Sequence, residues 1–262
     1  AFEVVLYSHA DDDGTTMRRR VEAACSRFID ISRLDDERAA ARIRDDGIDI
    51  LVDLKGYTTG ARNGIVGRRP APLQVGFLGY PGTCGGDFLD YFIGDPVTTP
   101  AAMAPHFCEK LAQMPHCYQP NDGTRALPPA ASRGSLGLPE DAFVMCSFNQ
   151  AYKITPAVFD TWCALLRDIP GSVLWLMPNS AQATRNLTRE AGARGVEPGR
   201  LLFAPPLPLE QHLARLQAAD VFVDTTPCSA HTTASDALWA GLPLVTVCGD
   251  TFAARVAASL LT

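Results

Sequence analysis

The chain has 262 residues and a formal net charge of −6, and these two values narrow the classes of protein it can belong to. The length is enough for two domains, each with a core of its own. No basic run or stripe occurs, so nucleic acid is not an expected partner. No apolar run approaches the roughly 20 residues of a membrane-spanning helix, so no membrane association is expected either.

The eight cysteines contain no C-x-x-C pair, and several lie inside apolar runs, as Cys146 and Cys163 do. This usage is typical of reduced, buried thiols and argues against a disulfide framework or a zinc site. We therefore expect a cytoplasmic protein. The chain opens directly on a predicted strand and stops inside a helical pattern, which predicts a piece of a longer protein.

Strands and helices alternate along the first half of the chain. Strands are predicted at residues 2–7, 28–31, 48–53 and 73–78, and helices at about 16–25 and 35–45. This alternation of strands and helices predicts a parallel, doubly wound sheet. The loops at 56–63 and 79–86 each follow a buried strand. They therefore lie where ligands bind in open α/β sheets, although turn chemistry alone also explains their glycines.

The composition changes between residues 120 and 139, where Asn, Asp, Gly, Ser and four prolines cluster. This change predicts a linker, with a first domain at 1–126 and a second at 127–262. In the second domain Thr155 and Pro156 form a typical helix start, N-cap then first helical residue. Strands are predicted at 143–148, 173–177, 201–204, 221–224 and 244–247, which together predict a Rossmann-like domain.

The most informative stretch is residues 221–236, VFVDTTPCSAHTTASD. A buried strand leads through a turn of small residues into a helix that begins near His231 or Thr232. A helix start attracts anions, and Thr232 and Thr233 add hydroxyl groups there. Asp236, one turn further on, could accept hydrogen bonds from a sugar diol. A diphosphate-sugar site and a Thr-capped helix with a core-packed histidine are both consistent with this pattern.

Further polar residues follow other strand ends of the second domain. Gln150, Tyr152 and Lys153 come after its first strand, and His212 and Arg215 lie early in the helix after residues 201–204. A lysine held against a helix start with paired threonines is a phosphate clamp, whereas a lone lysine on a loop is usually a solvated charge. The shared position at strand ends favours the first interpretation.

Four segments, read together and in order, resemble the catalytic region of the O-GlcNAc transferases, glycosyltransferase family 41. They are LGYPGT (78–83), FNQAYK (148–153), CSAHTTASD (228–236) and RVAAS (255–259). The similarity extends over nearly the whole chain. The short linker is similar to that of bacterial homologues, because animal members carry an extra domain at that place.

The resemblance implies a GT-B fold, an α/β architecture of two Rossmann-like, doubly wound lobes facing a cleft. It also implies an inverting transfer of N-acetylglucosamine from UDP-GlcNAc to Ser or Thr hydroxyls of proteins, with no metal and no cofactor. Tetratricopeptide repeats upstream of the catalytic region are expected in the full protein.

The resemblance also assigns roles to particular residues. It implies that Lys153 holds the diphosphate of the leaving UDP and that His231 lies near the phosphate and the sugar. It places Asp236 on the ribose hydroxyls and His212 against uracil. The other donor-binding residues it implies are Leu78, Gly79, Gln150, Tyr152, Arg215, Cys228, Thr232 and Thr233, and those on the acceptor side are Thr58 and Arg62.

Two departures from the family pattern stand out. Family members often carry a Lys three residues before the stacking histidine, and here that residue is Leu209. The family's histidine-containing loop, expected just upstream and proposed for base chemistry, does not occur in the chain.

Two alternatives remain open: another donor such as GDP-fucose or UDP-glucose in the same fold, and a nucleotide-binding module without turnover. An NAD-dependent oxidoreductase and a serine hydrolase are disfavoured, because neither G-x-G-x-x-G nor G-x-S-x-G occurs.

Overall fold

The computed structural model describes residues 2–262 and consists of α-helices and short, mostly parallel β-strands. The strands are β1 (Val5–Ser8), β2 (Arg27–Asp30), β3 (Ile50–Asp53), β4 (Leu73–Gly76), β5 (Tyr91–Gly94), β6 (Lys110–Gln113), β7 (Phe143–Ser147), β8 (Ser172–Leu176), β9 (Leu201–Phe203), β10 (Val221–Val223) and β11 (Leu244–Val245). The helices are α1 (Thr16–Ala24), α2 (Asp36–Asp45), α3 (Asn63–Val66), α4 (Pro156–Asp168), α5 (Ala181–Ala193), α6 (Leu209–Leu216), α7 (Thr232–Trp239) and α8 (Phe252–Leu261).

The chain divides into two compact units, one made of residues up to 93 with 105–112 and the other of 94–104 with 113–262. The predicted boundary between residues 126 and 127 falls inside the second unit. Residues of the predicted linker are bonded to that unit: Arg133 donates to the carbonyl of Ala218 and pairs with Asp220 at 2.8 Å. The turn-rich composition therefore marks an irregular segment that is nevertheless packed.

The sheet of the second unit has the strand order β11-β10-β7-β8-β9, and every paired neighbour is parallel. Its two central strands are buried on both faces, because alternate side chains belong to different cores. Val144 and Trp175 pack in one hydrophobic cluster, and Met145 and Leu174 pack in the other. A parallel sheet covered by helices on both faces produces continuous apolar runs, which is why these strands were predictable. The Rossmann-like arrangement predicted for this half is confirmed.

Helix α4 begins as the sequence predicts. The Thr155 side chain accepts a hydrogen bond from the Val158 amide, and Pro156 is the first helical residue. Proline fits there because its missing N–H would have no partner within the helix. The apolar stripe of the helix, which includes Phe159 and Trp162, is buried against the sheet.

In the first unit the strands fall into two sheets, β1-β2 and β3-β4-β5-β6, where a single sheet was predicted. Ala39 and Ile43 of α2 pack in one cluster with Tyr7 and Ile29 from the first sheet and Leu51 from the second. One helix thus joins the two sheets through a shared core. The sequence did not predict β5 or β6, and for β6 the reason is that it has no β-branched or aromatic residue, the types that favour strands.

The RVAAS segment (255–259) bonds helix α8 to other residues of the second unit. The Ser259 hydroxyl donates to the buried carboxylate of Asp95 at 2.6 Å, and the Arg255 guanidinium donates to the carbonyls of Val97 and Gly249. Helix α8 thereby holds residues 94–104 onto this unit.

None of the helices within residues 2–262 is both long and apolar enough to cross a membrane. All eight cysteines are free.

Candidate functional site

Helix α7 starts at the loop that leaves β10, at the carboxyl edge of the second sheet. His231 occupies its N-cap position without a side-chain capping bond, and Thr232, the first helical residue, is exposed. The alternative of a threonine-capped helix is therefore wrong. No side chain caps this end, and the Ala234 N–H already donates to the His231 carbonyl, so the N–H groups of Thr232 and Thr233 are the ones left for an anion at the positive end of the helix dipole.

Lys153 lies beside the loop that enters α7. It ends the 3₁₀ turn Ala151–Lys153 that follows β7, and its ammonium group donates to the carbonyl oxygen of Ser229 at 2.8 Å. Ser229 precedes the N-cap His231 by two residues. The structure therefore brings Lys153 to the start of α7, as the shared strand-end position suggested.

His231 is held by one defined hydrogen bond. Its Nε2 lies 3.0 Å from the carbonyl oxygen of Ala253, next to the start of α8. A carbonyl oxygen can only accept, so Nε2 carries the proton and Nδ1 remains an acceptor. Burial lowers the pKa of His231 to about 4, and the positive charge of Lys153 acts in the same direction. His231 is therefore neutral near pH 7.

The two threonines at the start of α7 have different environments. The Thr233 hydroxyl donates to the side-chain oxygen of Asn149, so its proton points into the protein. The Asn149 amide in turn donates to Asp224 at 3.0 Å and to the Thr225 hydroxyl at 2.8 Å. Of the two neighbouring hydroxyls, only that of Thr232 is free to donate to a ligand.

Asp224 organises this network, and the sequence analysis did not single it out. Its carboxylate accepts from the Asn149 amide, from the backbone N–H groups of Thr225 and Ala230 at 2.7 Å each, and from the Thr246 hydroxyl at 2.6 Å. Burial raises its pKa, and the hydrogen bonds oppose that shift. The available signal was a lone carboxylate that ends an apolar strand at the edge where ligands bind.

His212 and Arg215 form a buried pair on α6. The Arg215 Nε donates to His212 Nδ1 at 3.0 Å, and the Arg215 guanidinium lies 4.7 Å from the centre of the Phe148 ring. Burial, with a smaller contribution from the charge of Arg215, lowers the pKa of His212 to about 4, and Asp236 opposes the shift. Burial thus keeps the ring of His212 neutral, and Arg215 orients it.

Asp236 lies on α7 and is buried. Its Oδ1 forms an ion pair of 2.6 Å with Arg125, a residue of the predicted linker that the sequence analysis did not identify. Leu209, the departure from the family pattern, is the first residue of α6 and is half-exposed.

The remaining predicted donor residues of the second unit lie nearer its surface. Gln150 is exposed and accepts a hydrogen bond from Asn179 at 3.0 Å. Tyr152 is 79% exposed, so it is accessible to a ligand but is not held in place. Cys228 is half-buried, and its carbonyl accepts from the Thr225 hydroxyl at 2.7 Å.

Four predicted site residues lie in the first unit. Leu78 has a φ of 71°, a left-handed conformation unusual for leucine. A Cβ on Gly79 would lie 2.2 Å from the carbonyl oxygen of Leu54, so only glycine fits there. The Thr58 hydroxyl donates to the Lys55 carbonyl.

Arg62 bonds within the first unit. It pairs with Asp36 at 2.8 Å and donates to the carbonyls of Ile31 and Leu34. These contacts fix Arg62 within the first unit, and its place on the acceptor side stays a prediction.

The two buried histidines make stability depend on pH in a defined direction. The unfolded chain binds a proton at each ring near pH 6.5, whereas the folded protein does so only near pH 4. We expect the free energy of unfolding of the second unit to fall as pH drops from about 6.5 to about 5, above the range in which carboxylates titrate. Each pKa unit corresponds to about 1.4 kcal/mol. Denaturant unfolding against pH measures this slope, and His212→Gln should reduce it. Equal slopes in both proteins would contradict the prediction.

Comparison with known proteins identifies the family. The model of the family described as "Glycosyl transferase family 41" matches residues 1–130 and 124–262 of this chain. The chain is 39% identical over 264 residues to the probable UDP-N-acetylglucosamine--peptide N-acetylglucosaminyltransferase SEC of Arabidopsis thaliana, and that alignment covers 98% of the chain and 27% of the plant protein. It is 31% identical to the UDP-N-acetylglucosamine--peptide N-acetylglucosaminyltransferase of Caenorhabditis elegans, covering 99% of the chain and 32% of that protein.

Among solved structures, a mutant of the Thermobaculum terrenum O-GlcNAc transferase is similar with a TM-score of 0.88 and 33% identity, over 99% of this chain and 49% of that one. This likeness confirms the predicted α/β fold class of GT-B type. The chain spans about a third or less of the length of the two curated relatives. With matches along both halves of its sequence, the chain belongs to glycosyl transferase family 41.

Proposed function

We propose that this chain is part of a cytoplasmic protein O-glycosyltransferase that moves N-acetylglucosamine from UDP-GlcNAc to Ser or Thr hydroxyls, with inversion and without a metal. The observation that carries the proposal is the meeting of Lys153, His231 and the uncapped start of α7 at one edge of the second sheet. Two relatives named as peptide N-acetylglucosaminyltransferases support the same donor and acceptor classes.

The proposed reaction develops negative charge on the leaving group. The acceptor oxygen forms a bond to the anomeric carbon on the face opposite the diphosphate, and the bond from that carbon to the phosphate oxygen breaks. Its electron pair stays on UDP, and the acceptor hydroxyl loses its proton to water, so that the products are the glycosylated acceptor, UDP and one proton. Lys153 and the first-turn N–H groups of α7 supply preorganised positive charge where the diphosphate departs.

His231 has a different role in this proposal. It is neutral near pH 7 and its Nδ1 can only accept, so it does not supply positive charge to the phosphate. An acceptor nitrogen suits a hydroxyl or amide N–H of the sugar. We therefore assign His231 to orienting the sugar and Lys153 to stabilising the leaving group.

The nucleoside is assigned to α6 and to the middle of α7. The neutral ring of His212, fixed by Arg215, suits stacking on uracil, and Asp236 suits the ribose hydroxyls. Gln150, Tyr152, Cys228 and the first-unit residues Leu78, Gly79 and Thr58 keep the donor or acceptor roles that the family resemblance implies.

Two measurements on the full-length protein test the proposed function. Calorimetric titration with UDP, UDP-GlcNAc, GDP and NAD should show binding of the two uridine nucleotides and much weaker binding of the others. Incubation with UDP-GlcNAc and candidate acceptor proteins should add N-acetylhexosamine to Ser or Thr, read by mass spectrometry. Preference for GDP or NAD would indicate another donor or another class, and uridine-nucleotide binding without transfer to any acceptor would indicate a non-catalytic module.

The two threonines of α7 allow a sharper test within the same site. We expect Thr232→Val to weaken UDP binding several-fold with unchanged stability, because its exposed hydroxyl is free to donate to the diphosphate. Thr233→Val should instead lower the free energy of unfolding by about 1–3 kcal/mol, because it leaves the buried Asn149 oxygen without a donor. Calorimetry and denaturant unfolding of both variants measure the two effects. The placement of the hydroxyls would be contradicted if Thr232→Val lowered the free energy of unfolding and Thr233→Val weakened UDP binding without changing stability.

A further inference from the structure

Residues 121–131 of the second unit cross both helices that carry the candidate nucleoside residues, α6 and α7. The Ser235 hydroxyl of α7 donates to the side chain of Asn121, and the Gln217 amide, just after α6, donates to the Pro128 carbonyl at 2.9 Å. The backbone N–H of Ala131 donates to the Ala214 carbonyl of α6. Residues 121–131, which we call the crossing segment, are therefore fixed against the helices.

Arg125 is the charged residue that the crossing segment directs at α7. Its Nη1 lies 2.6 Å from Asp236 Oδ1, in a pair whose carboxylate side chain is only 9% exposed. Burying a charged group is costly unless an opposite charge or hydrogen bonds compensate the loss of water. Within residues 2–262, Arg125 is the cation paired with Asp236, and the other carboxylate oxygen, Oδ2, has no hydrogen-bond partner.

The orientation of the Arg125 guanidinium is also fixed. It lies 5.2 Å from the ring centre of Trp239, which is three residues after Asp236 on the same face of α7. Helix α7 therefore supplies both the anion and the aromatic face that hold this arginine. The Nε of Arg125 is buried and has no acceptor within residues 2–262.

We propose that Arg125 is a positioning residue for Asp236 and sets the preference of the site for ribose over 2′-deoxyribose. By binding Oδ1 it fixes the carboxylate in one rotamer and leaves Oδ2 to accept from a ribose hydroxyl. This inference rests on the proposed function, since it takes Asp236 as the group that meets the ribose. A site that pairs a buried polar group with a substrate hydroxyl rejects the analogue that lacks it.

The test compares UDP with 2′-deoxy-UDP by calorimetry on the full-length protein. Arg125→Met removes the charge and keeps the length of the side chain. We expect it to weaken UDP binding about tenfold and to bring the affinities for the two nucleotides close together. In an Asp236→Asn background the same change should have little further effect, because the group that Arg125 positions is already altered.

Arg194 provides a matched control. It pairs with Asp160 on α4 and with Glu190 on α5, is 22% exposed at its side chain, and lies 5.5 Å from the ring centre of Phe159, and none of these partners belongs to the candidate site. Arg194→Met should therefore remove ion pairs and an aromatic contact of the same kind without changing the preference for ribose. If Arg194→Met reduced the preference for UDP over 2′-deoxy-UDP as much as Arg125→Met does, the effect of Arg125 would be general destabilisation and the proposal would be overturned.

The outcomes separate this proposal from the proposed function. Failure of the wild-type protein to bind UDP would reject the function. UDP binding with a ribose preference that survives in Arg125→Met would reject only the positioning role. If the methionine variant does not fold, Arg125→Gln, which keeps N–H donors but not the charge, gives the same readout. If the folded Arg125→Gln variant prefers UDP over 2′-deoxy-UDP as strongly as the wild type does, the proposal is overturned as well.

Discussion

Replacing Lys153 with alanine in the full-length protein is expected to lower turnover by roughly 10²–10³-fold while UDP still binds measurably. The ammonium group is already held at the Ser229 carbonyl, beside the start of α7, so it meets the developing charge without reorganising. Its effect is therefore expected to be larger on the transition state than on bound UDP. UDP release under saturating donor measures turnover, and calorimetry measures UDP affinity.

Lys110 provides the matched control for this prediction. It is an exposed lysine of the first unit, stacked 5.8 Å from the ring centre of Tyr91. Lys110→Ala should leave turnover within a few-fold of wild type. A Lys153→Ala enzyme that also turns over within a few-fold of wild type would exclude a leaving-group role.

The second large effect is expected on stability. Asp224→Ala should lower the free energy of unfolding of the second unit by about 3–5 kcal/mol, because it leaves four donors without their acceptor. Two of these donors are backbone N–H groups of the loop that enters α7. Loss of the carboxylate should therefore also weaken UDP binding, through displacement of that loop.

Denaturant unfolding measures the loss, and Asp141→Ala serves as the control. Asp141 is an exposed aspartate just before β7, so its replacement should change the unfolding free energy by less than about 0.5 kcal/mol. An Asp224→Ala protein within about 1 kcal/mol of wild type would mean that the network does not organise the loop.

The central strands of the second sheet, β7 and β8, were predictable because their residues are buried on both faces. Predicted and observed bounds of β7 and β8 differ by one residue at most at each end. The start of α4 was predictable because capping is a local property of Thr155 and Pro156. β5 and β6 were missed although they are as long as β1 to β4, which were predicted; β6 has no β-branched or aromatic residue to mark it as a strand.

The different environments of the two threonines could not be predicted from the sequence. Thr232 and Thr233 are identical neighbours, and the sequence assigns them the same role. Successive side chains of a helix are rotated by roughly 100°. One hydroxyl therefore faces outward while the other meets Asn149, and only the packing of α7 against β7 decides which.

The family, the α/β class and the candidates Lys153, His231 and Asp236 could all be predicted from the sequence, because they depend on motifs and on short-range patterns. The contacts that each candidate makes could not be predicted and follow from the folded chain. Lys153 and Ser229 are 76 positions apart, and Arg125 and Asp236 are 111 positions apart. No periodicity of 2 or 3.6 residues encodes contacts at such separations. They arise because parallel strands bring their carboxyl ends to one edge of the sheet, and because residues 121–131 pack across the helices that begin there.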